Sequence, residues 1–185
     1  MTLPSERRGT FQPGPVTGFH GTSTEPAARI LREGFRPSDN DYDWLGEGVY
    51  LFQDAPARAR LWGEQRTGGP VAVIRAEIEL TDCIDLLDIR WHERLQEAYR
   101  EYAQAMHDTG QELPRQTPGA HRLDAAVIDY LVDVMDEEGV IVRSVRSAFV
   151  EGEPLFPGSA LHTLSHVQIA VRDSGIMSMV SEVVA

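Results

Sequence analysis

Val71-Ala72-Val73-Ile74-Arg75-Ala76-Glu77-Ile78-Glu79-Leu80 is the stretch whose reading decides the fold. Ala72, Ile74, Ala76, Ile78 and Leu80 recur at every second position, with Arg75, Glu77 and Glu79 opposite them, and only an extended chain puts such a set on one face. A slip by one residue would turn the apolar set toward water, so the register of this strand is well specified. One buried and one charged face is the pattern of an antiparallel sheet.

Upstream, Val16 to His20 and Gly48 to Phe52 read as two more strands. Between them Ser23 or Thr24 is an N-cap, Glu25 and Pro26 form a first turn, Ala28, Ile30 and Leu31 give an apolar side, and Gly34 is a stop, predicting a short helix. The polar stretch from Pro37 to Gly46 reads as a loop, yet it holds Tyr42 and Trp44, aromatics that a merely solvated loop does not need. Asp54 is read as the cap of a second helix, with Pro56 in its first turn and Ala59, Leu61 and Trp62 as packing positions.

Downstream the period changes. Trp91, Leu95, Ala98, Tyr99, Tyr102 and Met106 fall at helical spacing, as do Leu123, Ala126, Val127, Tyr130, Leu131 and Val134, with Gly110 to Ala120 as connector. Strand patterns return at Val140 to Val145 and at Val167 to Val171, around a Gly- and Pro-rich loop, Glu151 to Ser159. Strands on both sides of a helical insertion, about residues 88–138, predict one α+β domain over residues 16–185 with a mainly antiparallel sheet. Met1 to Pro15, with Pro4, Pro13 and Pro15, reads as a loose arm.

A chain of 185 residues suits one well-packed domain. Its 29 acidic and 17 basic residues give a net charge of −12, which offers no general attraction to phosphate backbones. Every basic residue is Arg, so Schiff-base and P-loop lysine chemistry are excluded. Cys83 is the only cysteine, which excludes an intrachain disulfide and a cysteine-rich zinc site. The sequence has no run of about eighteen apolar residues and no apolar region in its first twenty, so neither a membrane span nor a secretory signal is expected. A cytoplasmic location is the default expectation.

Chemistry is sought where polar groups meet at strand ends. His20 closes the first strand and precedes Gly21 and Thr22, so an imidazole stands beside a bare backbone that another molecule can approach. Tyr50 alternates with Val49 and Leu51 and is suited to stacking on a flat heterocycle. Each also fits a core role, His20 as a hydrogen-bonded histidine and Tyr50 as a packed tyrosine.

The order of motifs is more specific than any one of them. Phe19-His20-Gly21-Thr22, then Ala28-Arg29-Ile30-Leu31 with Gly34-Phe35-Arg36, then Gly46-Glu47-Gly48-Val49-Tyr50-Leu51-Phe52 with Ala57-Arg58-Ala59, resemble the NAD-binding half of the diphtheria-toxin and PARP-like ADP-ribosyltransferases, the class with a His-Tyr-Glu triad. The resemblance covers Val16 to Trp62 and returns at the last strand it aligns. It implies an ADP-ribosyltransferase-like split antiparallel sheet with flanking helices and NAD as substrate.

On that resemblance His20 hydrogen-bonds the 2′-hydroxyl of the adenosine-side ribose, the Gly21 backbone holds the nicotinamide carboxamide, Tyr50 stacks on the nicotinamide ring, and Thr22 is a further cofactor-binding residue. A second aromatic wall is expected about eleven residues later. Trp62 is one position beyond that spacing and Leu61 at it, and Trp62 also reads as a helix-packing residue. The third member of the triad, a glutamate at the start of a late strand, falls on Gln168 in Gln168-Ile169-Ala170-Val171-Arg172-Asp173. His20, Tyr50 and Gln168 are thus the catalytic candidates. An amide can orient a ribose hydroxyl but cannot act as a general base or bring a negative charge. Glu151 or Glu153, in the loop before that strand, are the alternative source of a carboxylate or a contact to the acceptor, and both also fit as solvated loop acids. His166, two residues before Gln168, shares its strand face and either touches the substrate or buttresses Gln168. His162 and His166 lack a third ligand, so no metal is expected. Arg29, Arg36 and Arg58 are nearest the expected diphosphate path, which a guanidinium fork suits, with Arg36 the cofactor-binding choice.

The activity implied is transfer of single ADP-ribose units from NAD to an unidentified protein or nucleic-acid acceptor. By analogy the chain is a toxin or defence effector, for which a cognate inhibitor protein is a possible partner. An NAD glycohydrolase, and a weakly active NAD- or ADP-ribose-binding module, are the alternatives.

Overall fold

The computed structural model describes residues 14–37, 43–117 and 120–183. Tyr42 and nearly all of the expected N-terminal arm lie outside the described residues. The first strand, β1 (Val16–Ser23), runs three residues beyond the expected end and leads into α1 (Thr24–Glu33), which stops at Gly34. Gly34 takes φ 83° and its N–H donates to the Ile30 carbonyl at 2.8 Å, the stop read from the sequence. The helix face is rotated from the expected one: Ala27 is buried with Ile30 packed beside it, whereas Ala28 and Leu31 are exposed.

β2 (Val49–Gln53) precedes α2 (Pro56–Thr67). Asp54 does not cap that helix. It sits at φ 52° with its N–H on the Thr17 carbonyl of β1, and Ala55 occupies the cap position. β3 (Val71–Ile78) follows, and Ala72, Ile74, Ala76 and Ile78 are buried on one face as the alternation requires. Val73, on the other face, is buried too, because α2 covers it.

β4 (Cys83–Asp85) leads to α3 (Arg90–Asp108), the antiparallel pair of two-residue strands β5 (Gln116–Thr117) and β6 (Ala120–His121), and α4 (Arg122–Glu137). β7 (Ser144–Phe149) starts four residues later than expected. Val140 and Val142 pack against the helices instead of joining a ladder. β8 (His166–Val171), a short turn of helix at Ser174–Ile176 and β9 (Met177–Glu182) complete the described chain.

The class is α+β. Seven strands form one sheet in the order β4-β7-β8-β2-β1-β3-β9, antiparallel except for β4 beside β7. On one face α1 packs over Leu51, Ile74, Ile78 and Ile169. On the other, α2 covers Phe19, Phe52 and Val73, while α3 and α4 share a core with Ile84, Val145 and Ala170. The insertion therefore packs on the sheet rather than standing apart from it.

One feature of register positions the site. β1 pairs with β3 from Val16 to Ser23, but with β2 only through Gly18↔Gln53 and Phe19↔Phe52. Beyond Phe19 the two central strands part company. β2 continues against β8 through Tyr50↔Ala170 and Phe52↔Gln168.

Candidate functional site

A cavity of about 420 Å³ lies at this divergence. His20, Gly21, Thr22, Arg36, Tyr50, Trp62, His166 and Gln168 all line it, together with Arg29, Asp43, Trp44, Phe52, Arg58, Arg66 and Glu151. Residues distant in sequence thus meet because strands adjacent in the sheet carry them.

His20 is where β1 leaves β2. Its Nδ1 lies 2.9 Å from the Tyr50 carbonyl, which is engaged by this ring rather than by a β1 amide. A carbonyl only accepts, so Nδ1 carries the proton and Nε2 keeps a lone pair. Desolvation holds the His20 pKa below the ordinary 6.5, against the opposing effect of that hydrogen bond, so the ring is neutral at pH 7. Phe35 meets it edge-on at 5.6 Å.

Tyr50 is held at its far end. Its hydroxyl donates to the Gly46 carbonyl at 2.6 Å and accepts the Leu45 N–H at 2.8 Å. Burial pushes the phenol pKa far up, so it stays a donor. The turn that holds it is itself pinned: Asp129 of α4 accepts from the Glu47 N–H at 3.1 Å and from Arg172 at 2.7 Å. Gly46 is at φ 78°, where a Cβ would lie 2.2 Å from Asp129 Oδ1, so only glycine fits. The insertion thereby fixes one wall of the cavity.

Gly21 has a packing reason that the sequence did not reveal. A Cβ there would lie 1.8 Å from the Ala59 carbonyl oxygen, since α2 rests directly on β1 at Gly21 and Gly63. Trp62 lines the cavity and Leu61 does not, and Trp62 also packs against the core of Phe19, Phe52, Ala59 and Val73. Trp62 meets Phe52 edge-on at 6.3 Å, and the Arg66 guanidinium lies 4.5 Å from its ring.

Gln168 stands directly across from Phe52 on β2 and Ser147 on β7. Its amide has no hydrogen-bond partner among the described residues. His166, on the same strand face, is 3% exposed. Its Nδ1 lies 2.7 Å from the Leu164 carbonyl, its ring stacks on Phe149, and burial holds its pKa below 6.5. His166 thus lines the cavity with its ring against Phe52 and Phe149.

Of the two loop acids, Glu151 lines the cavity and Glu153 does not. Glu153 is exposed, and its backbone N–H and carbonyl are both used by Thr163 across the loop. Arg36 is at the rim, 78% exposed and paired with Glu33. Trp44, flagged by its loop context, packs between His121 and Phe149. Phe52, which the sequence offers only as a strand and motif residue, lines the cavity too, because two residues after Tyr50 on β2 it shares the same face.

Arg29, Arg36, Arg58 and Arg66 line the cavity against two carboxylates, Asp43 and Glu151. A chain of net charge −12 therefore concentrates positive charge in this one hollow, a field that attracts an anionic ligand. Among the described residues, no three His, Cys, Asp or Glu side chains converge as metal ligands. No helix among them is long and apolar enough to cross a membrane. No protein-family model matches the chain, and no curated protein matches it.

Proposed function

We propose that this chain is a mono-ADP-ribosyltransferase of ADP-ribosyltransferase-like fold, which cleaves the nicotinamide glycosidic bond of NAD and passes ADP-ribose to a macromolecular acceptor. The observation that carries the reading is the meeting of His20, Gly21, Tyr50, Trp62 and Gln168 around one arginine-rich cavity where β1 and β2 diverge.

Each part suits NAD as substrate. The His20 Nε2 lone pair accepts from a ribose hydroxyl, a role that needs the neutral ring. Tyr50, locked at its hydroxyl, offers a fixed aromatic wall for the nicotinamide, with Trp62 as a second aromatic surface. Arginine forks match a diphosphate in shape and charge. Rigid placement is itself catalytic, because it removes the entropy of orienting the bond to be broken.

Gln168 in place of a carboxylate favours a second reading, a module that holds NAD or ADP-ribose with little turnover. NAD labelled in its adenine half separates the alternatives. Released nicotinamide with label retained on protein or nucleic acid identifies a transferase. Released nicotinamide with free ADP-ribose identifies a glycohydrolase, and binding without release identifies the module. As a cytoplasmic toxin, the chain would slow the growth of bacteria expressing it, and His20→Ala would relieve the effect.

A further inference from the structure

We infer that Glu151 supplies the carboxylate that β8 lacks at Gln168, and that Arg58 is the positioning residue that holds it. The inference rests on the NAD reading of the cavity and deepens it by naming the group that takes the proton.

Arg58 is a buried cation in the cavity wall. It is 9% exposed, its Nη2 donates to Glu151 Oε2 at 2.8 Å, and its guanidinium lies 4.8 Å from the Phe52 ring centroid and 5.7 Å from that of Trp62. Nε and Nη1 are buried with no hydrogen-bond partner. Burying a guanidinium with two unmatched donors is unfavourable, and apolar residues of similar volume would fill the space at lower cost. What Arg58 secures in return is the place of one carboxylate.

Glu151 is held at its backbone as well, where its carbonyl accepts the Leu164 N–H at 3.0 Å. The His166 ring lies beside Oε2, with Nδ1 at 3.6 Å but bonded to the Leu164 carbonyl. Oε2 is thus committed, whereas Oε1 carries no hydrogen bond among the described residues. The side chain is 26% exposed and lines the same cavity as Gln168 and His166. Asp43, the other carboxylate of the lining, is nearly fully buried.

The division of labour follows. The bond from ribose C1′ to nicotinamide breaks with its electron pair leaving on the nicotinamide nitrogen, which neutralises the pyridinium. Water, or an acceptor hydroxyl, forms the new C1′–O bond with its own lone pair. Its proton passes to Glu151 Oε1 and then to solvent. Gln168 orients the ribose by a hydrogen bond and takes no proton.

The test measures NAD binding by calorimetry and nicotinamide release on the intact chain. Glu151→Ala is expected to bind NAD within about threefold of the wild type while kcat falls about 10²–10⁴-fold, the range for loss of a positioned acid–base group. Added formate, a carboxylate small enough for the vacated space beside Arg58, restores at least about a tenth of the lost rate. Glu151→Gln keeps an acceptor for Arg58 and so preserves the fold, and it shows the same loss. Combining it with Gln168→Glu returns activity, because the carboxylate has moved from loop to strand. Arg58→Met lowers kcat by a larger factor than it raises the NAD KM, because it releases Glu151 as well as removing one cation from the cavity.

Wild-type kcat in Glu151→Ala overturns the inference. So does a loss that neither formate nor the double variant repairs, which makes Glu151 only a structural partner of Arg58. A wild type that binds NAD yet releases no nicotinamide overturns it as well, leaving the binding module. Failure of the wild type to bind NAD overturns the NAD reading itself, and this inference with it.

Discussion

His20 donates through Nδ1 to the carbonyl oxygen of Tyr50 at 2.9 Å, so the imidazole is held by the backbone of the residue expected to stack on the same ligand. The bond fixes the tautomer and leaves Nε2 as an acceptor. Burial lowers the pKa of this ring, and that of His166, below 6.5. Below 6.5 the unfolded chain takes up protons that the native chain excludes. Stability is therefore fully present above that value and decreases as pH falls from it toward the lowered native pKa. Denaturant midpoints measured from about pH 7.5 to about pH 5 should fall, and His20→Gln should reduce the slope while His166 maintains the rest. A flat profile in the wild type would contradict the buried neutral state of both rings.

Tyr50 separates wall from lock. Tyr50→Phe keeps the ring but leaves the Leu45 N–H and the Gly46 carbonyl without their partner, which should cost about 1–3 kcal/mol of stability and little NAD affinity. Tyr50→Ala removes the wall and should weaken NAD binding by about 1–2 kcal/mol, roughly 5- to 30-fold. Thermal unfolding and calorimetry measure the two effects. Equal NAD affinity for Phe and Ala at this position would remove the stacking role.

Gly21 is constrained from the α2 side. Gly21→Ala places a Cβ 1.8 Å from the Ala59 carbonyl oxygen, a backbone atom that cannot turn aside. The expected result is destabilisation by more than about 3 kcal/mol, read by thermal unfolding monitored by circular dichroism. Wild-type stability in this variant would show that α2 is not seated on β1.

Where sequence reading succeeded, a local pattern and the tertiary demand coincided. β3 alternates strictly because one sheet face is continuous core, and α1 stops at Gly34 because only that residue takes φ 83° without strain. β4 spans three residues and β9 shows no alternation of burial, so neither left a periodic trace. Val140 and Val142 look like strand residues and are apolar for another reason, their contact with α3 and α4. The cavity lining was legible at His20, Tyr50 and Trp62, where an aromatic or imidazole stands at a strand end or helix face. Arg58 and Glu151 meet across 93 residues, and no local pattern announces such a pair.

Gln168 faces the cavity between Phe52 and Ser147. Gln168→Ala should lower nicotinamide release about 10²–10⁴-fold with NAD affinity nearly intact, since the contact acts on the ribose as the bond breaks. Gln168→Glu should retain or raise the rate, because a negative charge there favours an oxocarbenium-like transition state. An unchanged rate in Gln168→Ala would mean that the ribose lies elsewhere.

The most direct test of the central claim is a calorimetric titration of the intact chain with NAD, repeated with His20→Ala and Tyr50→Ala. Saturable binding to one site, weakened in both variants, is the predicted result. No heat of binding with either NAD or ADP-ribose would contradict the account at its base.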